Sequence, residues 1–165
     1  MELTERLALP LLIPGQAQKE VFHNEALQVL DAIVAACVEE LPRNDPPQGP
    51  EAGTGYLVGG APTGEWSGFA DHLASFGSAG WRFIAPVVGL RALVKSTSTF
   101  AEYGSAGWEI GTVRASRVVV GGDQVIGARA GAIDDPTGGT IVDAEARSAI
   151  SQMLSALRQH GLISE

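Results

Sequence analysis

The chain has 165 residues, 45% of them hydrophobic and 18% charged, which is enough apolar content for a folded domain with a buried core. Its formal net charge is −8, so it lacks the basic surface that binding to nucleic acid or to an anionic membrane requires. We therefore expect no nucleic-acid partner. No segment reaches the roughly 18 apolar residues that span a bilayer, so we also expect no membrane insertion.

Residues 1–41 predict an extended arm followed by a helix. Prolines at positions 10 and 14 exclude a helix from residue 7 to residue 14, and the large aliphatic side chains of this arm need a cover. From residue 16 to about residue 41, apolar residues recur mostly at three- and four-residue steps, which predicts a helix. Because Asn24 is a good N-cap residue, a break of the helix near this position is the alternative.

A proline-rich connector at residues 42–50 leads into a predicted antiparallel β domain at residues 51–127. The predicted strands are residues 55–58, 71–76, 81–85, 91–95, 99–103, 108–112, 117–120 and 124–126. Apolar and polar residues alternate imperfectly in them, which is typical of strands buried on both faces or at a subunit interface.

The phrase Gly-Ser-Ala-Gly-Trp occurs twice in this domain, first after Phe76 and again after Tyr103. Each copy predicts a hairpin whose four-residue loop contains glycines able to take positive φ. The two copies end at Trp81 and Trp108. We therefore expect a small sheet or sandwich with a duplicated Trp hairpin, in a chain of the α+β class.

Residues 128–165 predict a loop and then an amphipathic helix at residues 142–161, with Asp143 as its N-cap. The apolar positions of one face are spaced by four, three and four residues, as in a coiled-coil seam. They are Ala146, Ile150, Met153 and Leu157. Because a helix this short is marginal alone, it docks on the chain's own core or bundles with copies of itself.

A symmetric oligomer would cover both the aliphatic arm and this helical seam. The residues assigned to self-association are Leu9, Leu11, Leu12, Ile13, Ala146, Ile150, Met153 and Leu157. The alternative is a monomer in which the C-terminal helix folds back on the N-terminal helix, with one α layer against one β layer.

Aromatic residues beside glycines are the candidates for stacking on sugar rings, and core packing is their alternative role. The candidate glycan-binding residues are Glu65, Trp66, Trp81, Tyr103 and Trp108. Trp66 is expected to be the exposed contact, because it lies in a glycine-flanked loop with the carboxylate of Glu65 beside it. Trp81 and Trp108 are expected to contribute more to packing.

The sequence predicts no catalytic residue, no metal site and no cofactor. Its histidines have no metal-ligand spacing, and the neighbours Glu39–Glu40 and Asp134–Asp135 are not placed to face one cleft as a glycosidase needs. No nucleophile elbow or phosphate loop is present in the sequence. The single cysteine, Cys37, is expected to be a buried small hydrophobe. We therefore expect a protein that is not an enzyme.

Several phrases in fixed order carry a family resemblance. They are the segment 14–27 beginning Pro-Gly-Gln-Ala-Gln-Lys-Glu, Gly-Tyr-Leu-Val at 55–58, Gly-Glu-Trp-Ser-Gly at 64–68, Gly-Trp-Arg-Phe-Ile-Ala-Pro at 80–86 and Gly-Trp at 107–108. Together they resemble a domain-of-unknown-function family found in phages, prophages and bacterial gene transfer agents. Residues 138–163 also resemble the tails of phage fibre-like proteins. The chain departs from the family pattern at Lys-Ser-Thr-Ser, residues 95–98.

The resemblance implies a fibre, spike or adaptor of a virion or phage-like particle, commonly three-fold, that contacts other virion proteins and host capsular polysaccharide. The acidic first six residues do not predict a signal peptide, so synthesis in the host cytoplasm is expected, with the product on a virion or an extracellular particle. The alternative is a small soluble carbohydrate-binding module, or a carbohydrate-active enzyme, that acts as a monomer.

Overall fold

The computed structural model describes residues 2–12 and 19–164 and has the expected α+β architecture, with two helices and several small sheets among those residues. The chain divides into two compact units, Met1–Val113 and Arg114–Glu165. The first unit contains α1 (Lys19–Ile33), β1 (Cys37–Val38), β2 (Gly55–Leu57), a 3-10 turn (Gly64–Trp66), β3 (Leu73–Gly77), β4 (Gly80–Ile84), β5 (Arg91–Val94), β6 (Thr99–Gly104) and β7 (Gly107–Ile110). The second unit contains β8 (Val118–Val120), β9 (Asp123–Ile126) and α2 (Ala144–Gln159).

The eight predicted strands are confirmed to within two residues at each end. In the first unit they form a four-stranded sheet of order β1-β5-β6-β7 and a three-stranded sheet of order β2-β3-β4, while β8 and β9 pair with each other. All neighbouring strands are antiparallel except β1 and β5. The predicted C-terminal helix is also confirmed, and the carboxylate of Asp143 accepts a hydrogen bond from the backbone N–H of Ala146 at 2.9 Å, as an N-cap should.

The predicted N-terminal helix is too long at its C-terminal end, because α1 stops at Ile33. The guanidinium of Arg6 donates hydrogen bonds to the backbone carbonyls of Asp31, Ala32 and Ala35 at 2.6, 3.2 and 2.8 Å. Such a contact satisfies carbonyls that a helix end leaves unpaired. Ala35 then takes a left-handed φ of +49°, which turns the chain into β1. Residues 16–18 of the predicted helix lie outside the described residues.

The predicted extended arm is a short hairpin fastened to α1. Within the arm, the backbone N–H of Thr4 donates to the carbonyl of Leu9 at 3.0 Å. The buried carboxylate of Asp31 accepts hydrogen bonds from the hydroxyl of Thr4 at 2.7 Å and from the backbone N–H groups of Arg6 and Leu7 at 2.9 and 2.6 Å. Backbone N–H groups of the arm are therefore hydrogen-bonded to a side chain of α1.

Asn24 does not break the helix, because it lies within α1 and uses its side chain elsewhere. Its amide accepts a hydrogen bond from the backbone N–H of Leu12 at 2.9 Å and donates one to the carbonyl of the same residue at 3.0 Å. The side-chain amide thus makes the pair of hydrogen bonds that the backbone of an adjacent strand would make, and it fixes the end of the arm to α1. The predicted helix break at this position is wrong.

Strands β2 and β3 lie between two hydrophobic clusters. On one face, Leu57 and Leu73 pack in a cluster with residues of β1, β5 and β6, and the members of this first cluster are Ala36, Val38, Leu57, Leu73, Ala92, Val94 and Ala101. On the other face, a second cluster contains Tyr56, Val58, Trp66 and Ala74. All three residues of β2 are buried, which explains the imperfect alternation of its sequence.

Both copies of the repeated phrase form hairpins with two-residue loops, not the four-residue loops that were expected. The last strand pairs are Gly77 with Gly80 and Gly104 with Gly107, so the glycines belong to the strands. Gly80 and Gly107 take φ values of +99° and +118°, which glycine adopts without strain. The aromatic residue and the Trp of each copy lie directly opposite one another across the hairpin.

Replacement of Asp31 by Asn should destabilise the protein by about 1–3 kcal/mol, because an amide nitrogen cannot accept the hydrogen bonds that both carboxylate oxygens now accept. Thermal unfolding should record a fall in Tm of several degrees. The matched control is Asp45→Asn, since Asp45 is 67% exposed and its ion pair with Arg43 lies at the surface. Equal Tm values for the two variants would show that the arm is not held by Asp31.

Candidate functional site

The structure places Trp66 in the core, so its predicted role as an exposed sugar contact is wrong. Its side chain is 0% exposed and packs at 5.1 Å between ring centroids from Trp81 and at 5.9 Å from Tyr56. The small side chain of Ala74 belongs to the same cluster and leaves room for the indole. Glu65, one residue earlier in the 3-10 turn, stays exposed.

Trp81 lies at the edge of this cluster and lines an open pocket of about 420 Å³. The pocket follows β4, which is the edge strand of its sheet, so side chains from both faces of the strand reach it. We call this the Trp81 pocket and define it by Glu25, Phe69, Trp81, Arg82 and Phe83. The rings of Phe69 and Phe83 stack with centroids 3.9 Å apart and planes inclined by 5°. The pocket therefore has a wall of half-buried aromatic rings held in place by packing. We call this the aromatic wall, and its members are Phe69, Trp81 and Phe83.

A two-point ion pair forms the polar side of the Trp81 pocket. The Nε of Arg82 donates to Oε1 of Glu25 at 2.7 Å, and its Nη2 donates to Oε2 at 2.9 Å. This hydrogen bonding lowers the pKa of Glu25 and raises the pKa of Arg82. The stabilisation from the lowered carboxyl pKa is present above the pKa of an unfolded glutamate and is lost as the pH falls through the lowered value. The pair connects α1 to β4.

Tyr103 and Trp108 lie on the β6–β7 hairpin, in the other sheet of the first unit. The centroids of their rings lie 5.2 Å apart, and Trp108 also packs against the first cluster. The indole N–H of Trp108 donates to the backbone carbonyl of Asp71 at 2.7 Å, where Asp71 takes a left-handed φ of +62°. The indole N–H of Trp108 thus already has a hydrogen-bond acceptor within the protein.

The five predicted glycan-binding residues are therefore not assembled into one site. Sequence reasoning named Trp81 but missed Glu25, Phe69, Arg82 and Phe83. The run Trp-Arg-Phe on one strand was an available signal, because an edge strand can present side chains from both faces. The pairing of Glu25 with Arg82 joins positions 57 residues apart and has no local signal.

The neighbouring carboxylates bind different cations. Glu39 accepts a hydrogen bond from Lys95 Nζ at 2.6 Å, whereas Glu40 pairs with Arg43 at the same distance. Within the described ranges, no group of three or more His, Cys, Asp or Glu residues could hold a metal ion. Among the helices that the structure describes, none is long and apolar enough to cross a membrane.

The second unit buries very little of its apolar surface. Among its described residues, only Leu154 and Ile163 are buried hydrophobics, at 7% and 5% exposure. We call the remaining surface the second-unit apolar surface. Its large exposed members are Val118, Val119, Val120, Val125, Ile126, Ile133, Ile141, Val142, Ile150, Met153 and Leu162.

The residues assigned to self-association fall into two groups. On α2, Ile150 and Met153 are 40% and 59% exposed, Ala146 is exposed and Leu157 is half-buried, so the predicted seam is open to contact. In the arm, Leu9 and Leu11 are half-buried and Leu12 is 47% exposed. Ile13 lies outside the described residues. Among the described residues assigned to self-association, the seam of α2 therefore has more exposed members than the arm.

The chain belongs to the DUF2793 family, which is described as a family of proteins of unknown function. The family model matches residues 23–109, more than half of the chain and entirely within the first unit. This confirms membership in a domain-of-unknown-function family, while the link to phages and gene transfer agents stays a prediction. A comparison with curated proteins finds no match.

Replacement of Trp66 by Phe should cost little stability. Among the described residues, the indole nitrogen of Trp66 is buried without a hydrogen-bond partner, and Phe removes that donor while it keeps an aromatic ring. Trp66→Ala should cost about 3–5 kcal/mol through the cavity it leaves. Both effects are measured by denaturant unfolding.

The matched control is Trp108→Phe, which removes the same group from an indole that does have a partner, the carbonyl of Asp71. We expect Trp108→Phe to cost about 1 kcal/mol more than Trp66→Phe. The reverse order of the two Phe variants would contradict this account of the core.

Proposed function

We propose that the protein is a structural, non-catalytic component of a phage-like particle, a fibre, spike or adaptor, that self-associates through the second-unit apolar surface. The observation that carries this proposal is the exposure of that surface. Large apolar side chains that are left exposed together in one part of a chain are typical of an interaction site. The first unit also exposes large apolar side chains, but it buries two clusters of its own, whereas the described residues of 114–165 bury only Leu154 and Ile163 as hydrophobics and so have the greater need of a partner.

A second copy of the same chain is the partner that the helix pattern favours. The seam of Ala146, Ile150, Met153 and Leu157 repeats at four, three and four residues, the spacing with which equivalent helices pack side by side. A helix of 16 residues is marginal alone in water, so its stability depends on packing. Symmetric packing covers the seam of every copy with the same contacts.

Three copies are proposed, because particle fibres and spikes are commonly three-fold and because Ile, Met and Leu at seam positions are compatible with a trimer. The exposed Leu12 at the end of the arm is proposed to contact another virion protein or a second copy. Synthesis takes place in the host cytoplasm, and the assembled protein is carried on the particle. Through its first unit, the protein is proposed to contact host-surface polysaccharide.

Replacement of both Ile150 and Met153 by Asp should dissociate the assembly, because each change puts a charge into an apolar contact. Light scattering after size exclusion should give about three times the chain mass of 17.1 kDa for the unmodified protein and about one chain mass for the variant. The β-sheet signal in the far-UV circular dichroism spectrum should persist in the variant, as expected if the sheets of the first unit stay folded.

The control is Ser148→Asp with Ser155→Asp, which adds the same charge to the polar face of α2, where both serines are exposed. This control should keep the assembled mass. An unmodified protein that runs at 17.1 kDa would overturn the assembly proposal.

Incubation with polysaccharides should release no new reducing ends. The neighbouring carboxylates Glu39 and Glu40 are each neutralised by a different cation, so they do not form an acid–base pair across a cleft. A reducing-end assay measures this directly. Hydrolysis that is abolished by Glu65→Gln or Asp71→Asn would show that the protein is an enzyme.

A further inference from the structure

We propose that the Trp81 pocket binds an uncharged hexose unit of a polysaccharide, with the C–H face of the sugar on the aromatic wall and its hydroxyls on the Glu25–Arg82 pair. The proposal deepens the function proposed above, on which it rests for the source of the sugar, a host-surface polysaccharide. It assigns to this pocket a ligand class that is distinct from an acidic sugar, a peptide or a nucleotide.

The aromatic wall provides the apolar half of a sugar site. Aromatic faces carry partial negative charge and pack well against C–H groups, while Trp and Tyr combine large apolar area with few rotatable bonds. Trp81 is fixed by Trp66 at 5.1 Å and by Phe76 at 4.9 Å between ring centroids. Phe69 is fixed by its stack with Phe83. The wall is therefore ordered before a ligand arrives, which lowers the entropic cost of binding.

The ion pair provides the polar half. A guanidinium has five N–H donors, and the contact with Glu25 uses two of them. Among the residues that the structure describes, the other three donors of Arg82 make no further hydrogen bond. The carboxylate has about four lone-pair sites, and Arg82 takes two of these. Donors and acceptors thus lie side by side, next to the aromatic wall. A sugar hydroxyl both donates and accepts, so neighbouring hydroxyls match such a pair.

The charge of the pocket selects the class of sugar. The positive charge of Arg82 is balanced by Glu25 in a two-point contact, and the charge of a second carboxylate, Glu5, also raises the pKa of Arg82. The local charge is therefore zero or negative, and the chain as a whole carries −8. An acidic sugar or a nucleotide phosphate would be repelled, whereas an uncharged hexose is not.

Replacement of Glu25 by Gln tests the proposal by changing the charge of the pocket and not its shape. The unmodified protein should bind uncharged hexose oligosaccharides and not uronic-acid oligosaccharides on the same array, and titration calorimetry gives the affinities. Glu25→Gln removes the carboxylate bonded to Arg82 and lets the guanidinium pair directly with a uronic-acid carboxylate, so binding of the uncharged sugars should fall about tenfold while binding of uronic-acid sugars appears. The double variant Glu25→Gln with Arg82→Gln should lose the uronic-acid binding again, because its amide pair is uncharged.

The matched control is Glu102→Gln. It makes the same change in another Glu–Arg pair beside an aromatic ring, since Arg91 contacts Glu102 at 3.2 Å and lies 5.0 Å from the ring centre of Phe100. This control should leave both sugar affinities unchanged. Trp81 itself is unsuitable for the test, because its replacement would disturb the second cluster.

The proposal is overturned by the absence of binding to any uncharged sugar, by stronger binding to uronic-acid sugars by the unmodified protein, or by equal effects of Glu25→Gln and Glu102→Gln. Binding of an extended peptide along β4 in place of sugar would overturn it as well. The mass of the same samples separates this failure from failure of the assembly proposal. An assembled protein without sugar binding rejects the pocket alone, and a 17.1 kDa monomer that binds sugar rejects assembly and supports a carbohydrate-binding module.

Discussion

Both hydrophobic clusters of the first unit share one pair of strands, β2 and β3, and the arrangement of the whole unit depends on this sharing. Tyr56 and Leu57 are neighbours in sequence, yet one belongs to the second cluster and the other to the first. A strand in this position cannot shift by one residue without exchanging the contents of the two clusters. Gly55 adds a steric condition, because a Cβ at this position would lie 2.7 Å from the carbonyl oxygen of Cys37. Strands β1 and β2 can approach this closely only with glycine there.

The two Trp hairpins show how nearly identical local sequences acquire different roles. In both copies the loop and the glycine pair are the same and an aromatic residue lies opposite the Trp, Phe76 in the first copy and Tyr103 in the second. The difference arises from the neighbours. Trp108 meets the carbonyl of Asp71 and packs on the first cluster, whereas Trp81 joins the second cluster at the edge strand β4 and faces an open pocket. The hairpin sequence therefore specifies a fold unit, and the surroundings specify whether its indole is a packing group or a surface for ligands.

Features with local causes could be predicted from the sequence, and features with distant causes could not. The strands and the cap of α2 depend on residues a few positions apart, and the structure has them where they were expected. The end of α1 depends on Arg6, about 25 residues away, and periodicity alone cannot detect that contact. Trp66 was misplaced for a similar reason. Its glycine-flanked loop is typical of an exposed turn, but the space beside Ala74 that buries the indole is created by β2 and β3. The candidate pocket was found only through Trp81, because its polar half joins α1 to β4.

The unequal burial of the two units explains why self-association and ligand binding are proposed for different parts of the chain. Residues 114–165 are joined by backbone hydrogen bonds, such as those between Ala130 and the segment from Leu162 to Ser164, and by arginine side chains that donate to backbone carbonyls, and these bonds leave apolar side chains uncovered. Backbone bonds fix the course of a chain without removing its apolar surface from water, so in the proposed assembly contact with other copies would supply the missing stabilisation. The first unit buries two clusters of its own, although it also exposes large apolar side chains such as Phe22 and Val88, and its aromatic surface at β4 is half-buried and held by packing. A small, rigid surface with balanced charge is suited to a weak ligand, and repetition of that surface in each copy of an assembly would multiply a weak affinity into stable attachment.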